Sequence, residues 1–198
     1  MLAVLRLLPL VSRRRDVLGV RTYLALTDTN QFATVRNQLD LAIRLIAQFD
    51  PPRFARIARD LKGILVYPFS PRPRAQYIRS FGYCELSTST LLGDDFVSAA
   101  CMIVHEATHA RLRRVRAHEA EQRLRVERAC IAQEIAFLER LPHMSSRVES
   151  AQDMLKSLNA EDYTDAALWA DYLSEWRAAA ATATRRVAAR DSRQSTSE

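Results

Sequence analysis

From Thr27-Asp28 onward, apolar residues recur every three or four positions. Phe32, Val35, Leu39, Ala42, Ile43, Ile46 and Phe49 share one face of a helix of about five turns, which Asp50-Pro51-Pro52 ends. A shorter amphipathic piece with Phe54, Ile57 and Leu61 follows. Then the period shortens. Gly63 to Tyr67 is a compact, β-branched run, Pro68 to Pro73 is a turn region, and Ala75 to Phe81 and Tyr83 to Thr90 read as two more strands about Gly82. In the last of these Cys84, Leu86 and Thr88 alternate with Tyr83, Glu85 and Ser87, which predicts a half-exposed strand. Helical spacing returns at Asp94-Asp95, an N-cap pair, with Val97, Cys101, Val104, Thr108 and Leu112 on one face. It continues without Gly or Pro to Leu141. Asp153 to Leu158 and a stretch from Asp162 carrying Leu168, Trp169, Tyr172, Leu173 and Trp176 predict further helix. Residues 16 to 26 are ambiguous between helix and strand. The pattern predicts an α+β protein, predominantly helical, with a small three-stranded sheet.

A chain of 198 residues suffices for one well-cored domain with an appended tail. The expected division is an apolar and basic segment at 1–26, the domain at 27–141, a helical extension at 142–190 and a polar, disordered tail at 191–198. Residues 1–11 are apolar but interrupted by Arg6 and Pro9 and followed by Arg13-Arg14-Arg15. That charge order is the reverse of a secretory signal, and the run is too short to span a bilayer. It predicts a packing segment or, through residues 1–15, a weak membrane-surface contact.

The net charge of +6 comes from arginine, since the only lysines are Lys62 and Lys156. Acidic residues are interleaved throughout, which favours a solvated surface over a nucleic-acid interface. Arg111, Arg113, Arg114, Arg116, Arg123, Arg125 and Arg128 go round their helices with no aromatics among them, so a nucleic-acid partner is not expected. Cys84, Cys101 and Cys130 form neither a C-x-x-C pair nor an even set, which fits free thiols in a reducing compartment and a cytoplasmic location.

The chemistry concentrates at His105-Glu106-Ala107-Thr108-His109. Residues four apart lie on one helix face, so both imidazoles can turn onto one metal ion. Glu106 is one step round, off that face, and suited to accept a proton from water polarised by the metal. The plainer reading is a pair of hydrogen-bonded histidines near a core. Glu127 and Glu134 are the candidates for a third ligand; seven residues apart, they share one face. In an unbroken helix Glu127 would stand about 27 Å along the axis from His109. The helix must therefore break and fold back, around Arg116 to Glu119.

Val-His-Glu-Ala-Thr-His-Ala, followed by a glutamate 18 positions after the second histidine, resembles the gluzincin metallopeptidases and their reduced form, the minigluzincins. The resemblance covers residues 27–140. It implies a zincin-like fold with a backing helix (30–49), the small sheet (63–90), an active-site helix (95–114) and a glutamate helix (about 119–140). By it, His105, His109 and Glu127 would hold zinc and Glu106 would be the general base; Glu134 stays the alternative third ligand, expected otherwise to affect only how a ligand is oriented. An extended peptide would lie along the last strand before the active-site helix. Position 115 is Val, which excludes the third histidine of the metzincins. Tyr163, Tyr172, His118 and His143 are available to polarise a carbonyl oxygen. The function expected is zinc-dependent hydrolysis of a peptide or protein substrate; the alternative is an inactive or regulatory zincin-like module acting through a protein partner.

Overall fold

A computed structural model describes residues 12–25, 29–67, 75–93, 95–113 and 119–164. The expected turn at Pro68 to Pro73, Asp94, the tail at 191–198 and the apolar face from Leu168 to Trp176 lie outside the described residues.

Residues 13–24, ambiguous in their periodicity, form a hairpin. Strand β1 (Arg13–Val17) pairs antiparallel with β2 (Val20–Leu24), with Val17 opposite Val20. The two-residue turn places Leu18 at φ 52° and Gly19 at φ 87°, the paired positive angles of a primed turn. Asp16 closes it by accepting from the Gly19 N–H at 2.7 Å. Residues 13–24 thus belong to the sheet, and residues 1–11 lie outside the described residues. The hairpin's arginines are used as well: Arg15 pairs with Asp40 at 2.6 Å, and Arg13 lies 4.8 Å over the Phe32 ring.

Helix α1 (Thr29–Phe49) and helix α2 (Pro51–Asp60) carry the chain back, and β3 (Gly63–Tyr67) then pairs parallel with β2. β4 (Ala75–Ile78) precedes a turn at Gly82, where φ is 76°, and β5 (Tyr83–Ser87) slots between β3 and β4. The sheet is therefore five-stranded and mixed, in the order β1-β2-β3-β5-β4, rather than three-stranded. Register alternates the two faces. Leu24, Val66 and Leu86 line up across β2, β3 and β5, as do Ile64 and Cys84, all facing the core. Leu65, Glu85 and Gln76 form a row on the other face.

Two expectations about β5 fail together. It is an interior strand, paired on both sides, so the open edge beside the helices is β4. Nor is it half-exposed: Glu85 is 1% exposed, because β4 covers it and Gln76 donates to its carboxylate at 2.5 Å. The strand also ends earlier than its alternation suggests, and Thr88–Gly93 is a short helix, α3.

Helix α4 (Phe96–Arg111) begins at Asp95, whose side chain accepts from the Ser98 N–H at 2.8 Å. The expected interruption is present: α4 ends at Arg111 and α5 (Ala120–Leu138) starts nine residues later. Helix α6 (Ser145–Ser157) and a 3-10 turn (Ala160–Tyr163) pack against α5. Ala99, Ala100, Ile103, Val104 and Ala107 of α4 join Val35, Leu39, Ile43 and Ile46 of α1 in the core, so α4 sits close on its backing helix. Among the described residues no helix is long and apolar enough to cross a membrane.

Asp50, 1% exposed, locks the junction of these helices. It caps α2 through the Arg53 N–H at 3.1 Å, pairs with the Arg53 guanidinium and lies 3.3 Å from Arg140 beyond α5. Arg53 also donates to Gln133 of α5 at 3.2 Å. Removing the carboxylate leaves a buried guanidinium without its anion, so Asp50→Ala should cost about 3–5 kcal/mol. Arg140→Ala, at a half-exposed partner, should cost about 1 kcal/mol or less. Urea unfolding of the two variants beside wild type measures the difference; equal midpoints would remove Asp50 from this role.

Candidate metal centre

The centre is built where α4 crosses α5. On α4 the four-residue spacing directs His105 and His109 to one side, and their Nε2 atoms lie 3.1 Å apart. The chain reversal after Arg111 brings Glu127, on the second turn of α5, across from both. Its Oε2 is 3.3 Å from His105 Nε2 and its Oε1 is 3.3 Å from His109 Nε2. Two turns further along α5, Glu134 Oε1 meets His105 Nδ1 at 2.5 Å. All four side chains are partly exposed.

These distances allow a test of fit. Zinc with nitrogen and oxygen ligands at about 2.0–2.1 Å has tetrahedral edges of about 3.3 Å. The 3.1 Å between the two Nε2 atoms is close to one such edge, and each Nε2 stands 3.3 Å from a Glu127 oxygen, Oε2 for His105 and Oε1 for His109. Glu134 on Nδ1 selects the tautomer that leaves His105 Nε2 free to coordinate, as outer-sphere carboxylates do for ligating histidines. The two glutamates, equivalent by spacing, thus occupy different places: Glu127 spans both Nε2 atoms, and Glu134 stands behind one ring.

Cys130 is a third neighbour. Its Sγ and one ring nitrogen of each histidine all lie within 4.8 Å of one another, so His105, His109 and Cys130 form a second possible donor set. The thiol is fully buried one turn from Glu127, and burial with nearby carboxylates pushes its pKa well up. A thiol gives up its proton on binding a metal, so the carboxylate and thiol sets stand as alternatives at this place. All three cysteines are free and buried.

Electrostatics bind the group together. Burial opposes the charged form of His105, but hydrogen bonds to Glu127 and Glu134 outweigh it and raise the imidazole to about 10. Burial also opposes the Glu127 carboxylate, yet the two imidazoles draw it down to about 2. Without a cation, a proton on His105 therefore takes the position of the positive charge. Glu106 is 6% exposed, and burial raises its pKa, partly offset by the two histidines and by the Tyr77 N–H it accepts.

His105, Glu106, His109 and Glu127 open on a cleft of about 500 Å³ that Gln76 and Tyr77 of β4 also line. Arg79, Leu112, Arg113 and Val126 also line it. The sequence reading missed these. Arg113 had a signal, because 105, 109 and 113 continue one four-residue spacing; the β4 residues had none, since a strand edge is defined only by pairing. Of the candidates for polarising a carbonyl, Tyr163 packs in the 3-10 turn against α5 and does not line the cleft. Its phenol is raised to about 12, first by burial and then by the Glu127 charge. His143, between α5 and α6, borders a different hollow with Met144 and Val148. His118 and Tyr172 lie outside the described residues. Arg123 and Arg128, once candidates for nucleic-acid contact, donate to the carbonyls of Tyr163 and Leu158.

No family model, curated protein or solved structure matches the chain.

Two outcomes are expected. Elemental analysis should find about one zinc per chain in wild type, Glu134→Ala and Cys130→Ser, and little in His105→Ala, His109→Ala and Glu127→Ala; retention in Glu127→Ala with loss in Cys130→Ser would reverse the donor set. The second concerns metal-stripped protein. The raised His105 stabilises it fully below its unfolded pKa near 6.5, and that contribution fades as pH rises toward about 10. The depressed Glu127 stabilises it above an unfolded pKa near 4.5 and loses effect as pH falls toward about 2. Thermal unfolding after chelation should therefore peak between about pH 4.5 and 6.5, and Glu127→Gln should flatten that peak.

Proposed function

We propose that the protein is a zinc-dependent peptidase with a zincin-like arrangement, in which His105, His109 and Glu127 hold the metal and Glu106 is the general base. The observation that carries this reading is the division of labour among carboxylates. One spans both imidazoles, one orients an imidazole from behind, and one stands free of the imidazole face inside the cleft.

When bound, zinc supplies Lewis acidity to a water and to a substrate carbonyl oxygen. Everything else falls to the chain. Glu106 takes the proton from water as its oxygen attacks the carbonyl carbon, then delivers it to the departing amine nitrogen. Its buried position, with a raised pKa, makes it a stronger base than an exposed carboxylate. The Tyr77 N–H fixes the carboxylate while leaving it facing the cleft.

The substrate edge is β4. In an antiparallel pair both polar groups of a residue point to the same side. Tyr77 turns its N–H toward Glu106, so its carbonyl also faces the open edge, where an extended peptide's N–H can donate to it. One observation favours the alternative of a non-catalytic metal module: Cys130, if it completed the coordination, would close the position a substrate needs. The cobalt-substituted protein separates the two, because a thiolate ligand adds an intense near-ultraviolet charge-transfer band and an oxygen ligand does not.

Glu106→Gln keeps size and removes basicity. It should retain zinc and fold while hydrolysing peptides on the order of a hundredfold more slowly or worse. A mixture of peptides analysed by mass spectrometry supplies the substrates. Wild-type rates in Glu106→Gln would end the assignment, and a zinc-loaded wild type that cleaves none would favour the regulatory module.

A further inference from the structure

The cleft is lined by groups of both charges. Besides the imidazoles, Glu106 and Glu127, it is lined by Arg79 and Arg113, both exposed. The two arginines come from different elements. Arg79 is the first residue after β4, and Arg113 lies two residues past the end of α4. A hydrogen bond from Arg79 Nη2 to the Arg113 carbonyl oxygen draws them together. Among the described residues neither guanidinium is paired with a carboxylate. The bond between them satisfies one N–H of Arg79 and none of Arg113, so most of ten donors remain free.

We infer that Arg79 and Arg113 form a subsite for a substrate carboxylate, selecting peptides with an acidic group close to the bond at the metal centre. This rests on the peptidase reading for the direction of use, but the binding preference can be measured without turnover. Arg79 follows Tyr77 by two residues at the end of β4, at most about 7 Å along the chain. An extended peptide advances about 3.3 Å per residue, so the selected carboxylate lies within about two residues of the scissile carbonyl. Planar guanidinium forks match carboxylates through paired, charge-assisted hydrogen bonds, which a neutral amide of equal size cannot return. An aspartate or glutamate side chain and a free C-terminal carboxylate carry the same chemistry.

The test uses zinc-loaded full-length Glu106→Gln, which keeps the cleft, and fluorescent peptides read by anisotropy. Peptides come in matched pairs: Glu against Gln at successive positions, and a C-terminal acid against its amide. At low salt the acidic member of at least one pair should bind about tenfold or more tightly. Preference in the Glu/Gln pairs identifies a side-chain carboxylate, and preference in the acid/amide pair identifies a chain terminus. Adding Arg79→Ala and Arg113→Ala together should abolish the preference and leave the Gln and amide peptides bound as before. Arg113→Lys should keep part of it, and Arg113→Glu should turn it toward lysine-containing peptides. Zinc content and circular dichroism of each variant confirm that the centre and fold remain.

Equal binding of acidic and neutral partners, a preference that survives the double substitution, or no binding of either kind would each overturn the subsite. Failure of the peptidase reading looks different: the acidic preference would be present and sensitive to both arginines, while wild type left the bound peptides intact.

Discussion

Three carboxylates and two imidazoles meet where α4 and α5 cross, and none of them can be left there alone. Glu127 and Glu134 face His105 from two sides, while Glu106 lies buried beneath. Carboxylates this close repel one another and lose solvation, so the crossing is stable only if positive charge is supplied between them. A proton on His105 supplies it in one state, and a divalent cation spanning both Nε2 atoms and Glu127 would supply it in another. A proton on His105 and a cation held there would therefore compete for the same place.

Holding that crossing is the task of much of the fold. Small residues along α4 let it approach α1 closely, and Asp95, capped onto Ser98, is tied to Arg147 of α6. The Asp50–Arg53–Gln133 chain reaches from the α1–α2 junction to the residue before Glu134. Side chains that never see the cleft therefore decide where the carboxylates of α5 stand. The sheet contributes through its edge. β4 gives Glu106 one backbone N–H and lines the cleft, so in the proposed peptidase proton transfer and substrate alignment would share one strand.

Much of this was legible in the chain itself. Helical spacing located α1 and α4, the His105–His109 pair identified its own face, and the distance to Glu127 required a reversal that the structure has between Arg111 and Ala120. Local periodicity carries such information because a helix face depends only on near neighbours. The hairpin at 13–24 was not legible, since two five-residue strands with four arginines between them show no clear period until they pair. Glu85 read as a solvent-facing residue because alternation cannot report a neighbouring strand arriving from nine residues earlier.

The sequence by itself determined which residue types could hold a metal and transfer a proton, because those follow from side-chain chemistry and from spacing on one helix. Only the tertiary structure separated Glu127 from Glu134. Seven residues apart on one face, they are equivalent until the crossing angle of α4 and α5 sets one between the two Nε2 atoms and the other on Nδ1. Likewise only the fold put Cys130 beside the histidines and Arg79 beside Arg113, and made β4 the open edge. These are contacts between elements distant in sequence, and no local pattern encodes the distance between two surfaces that meet only when the chain has folded.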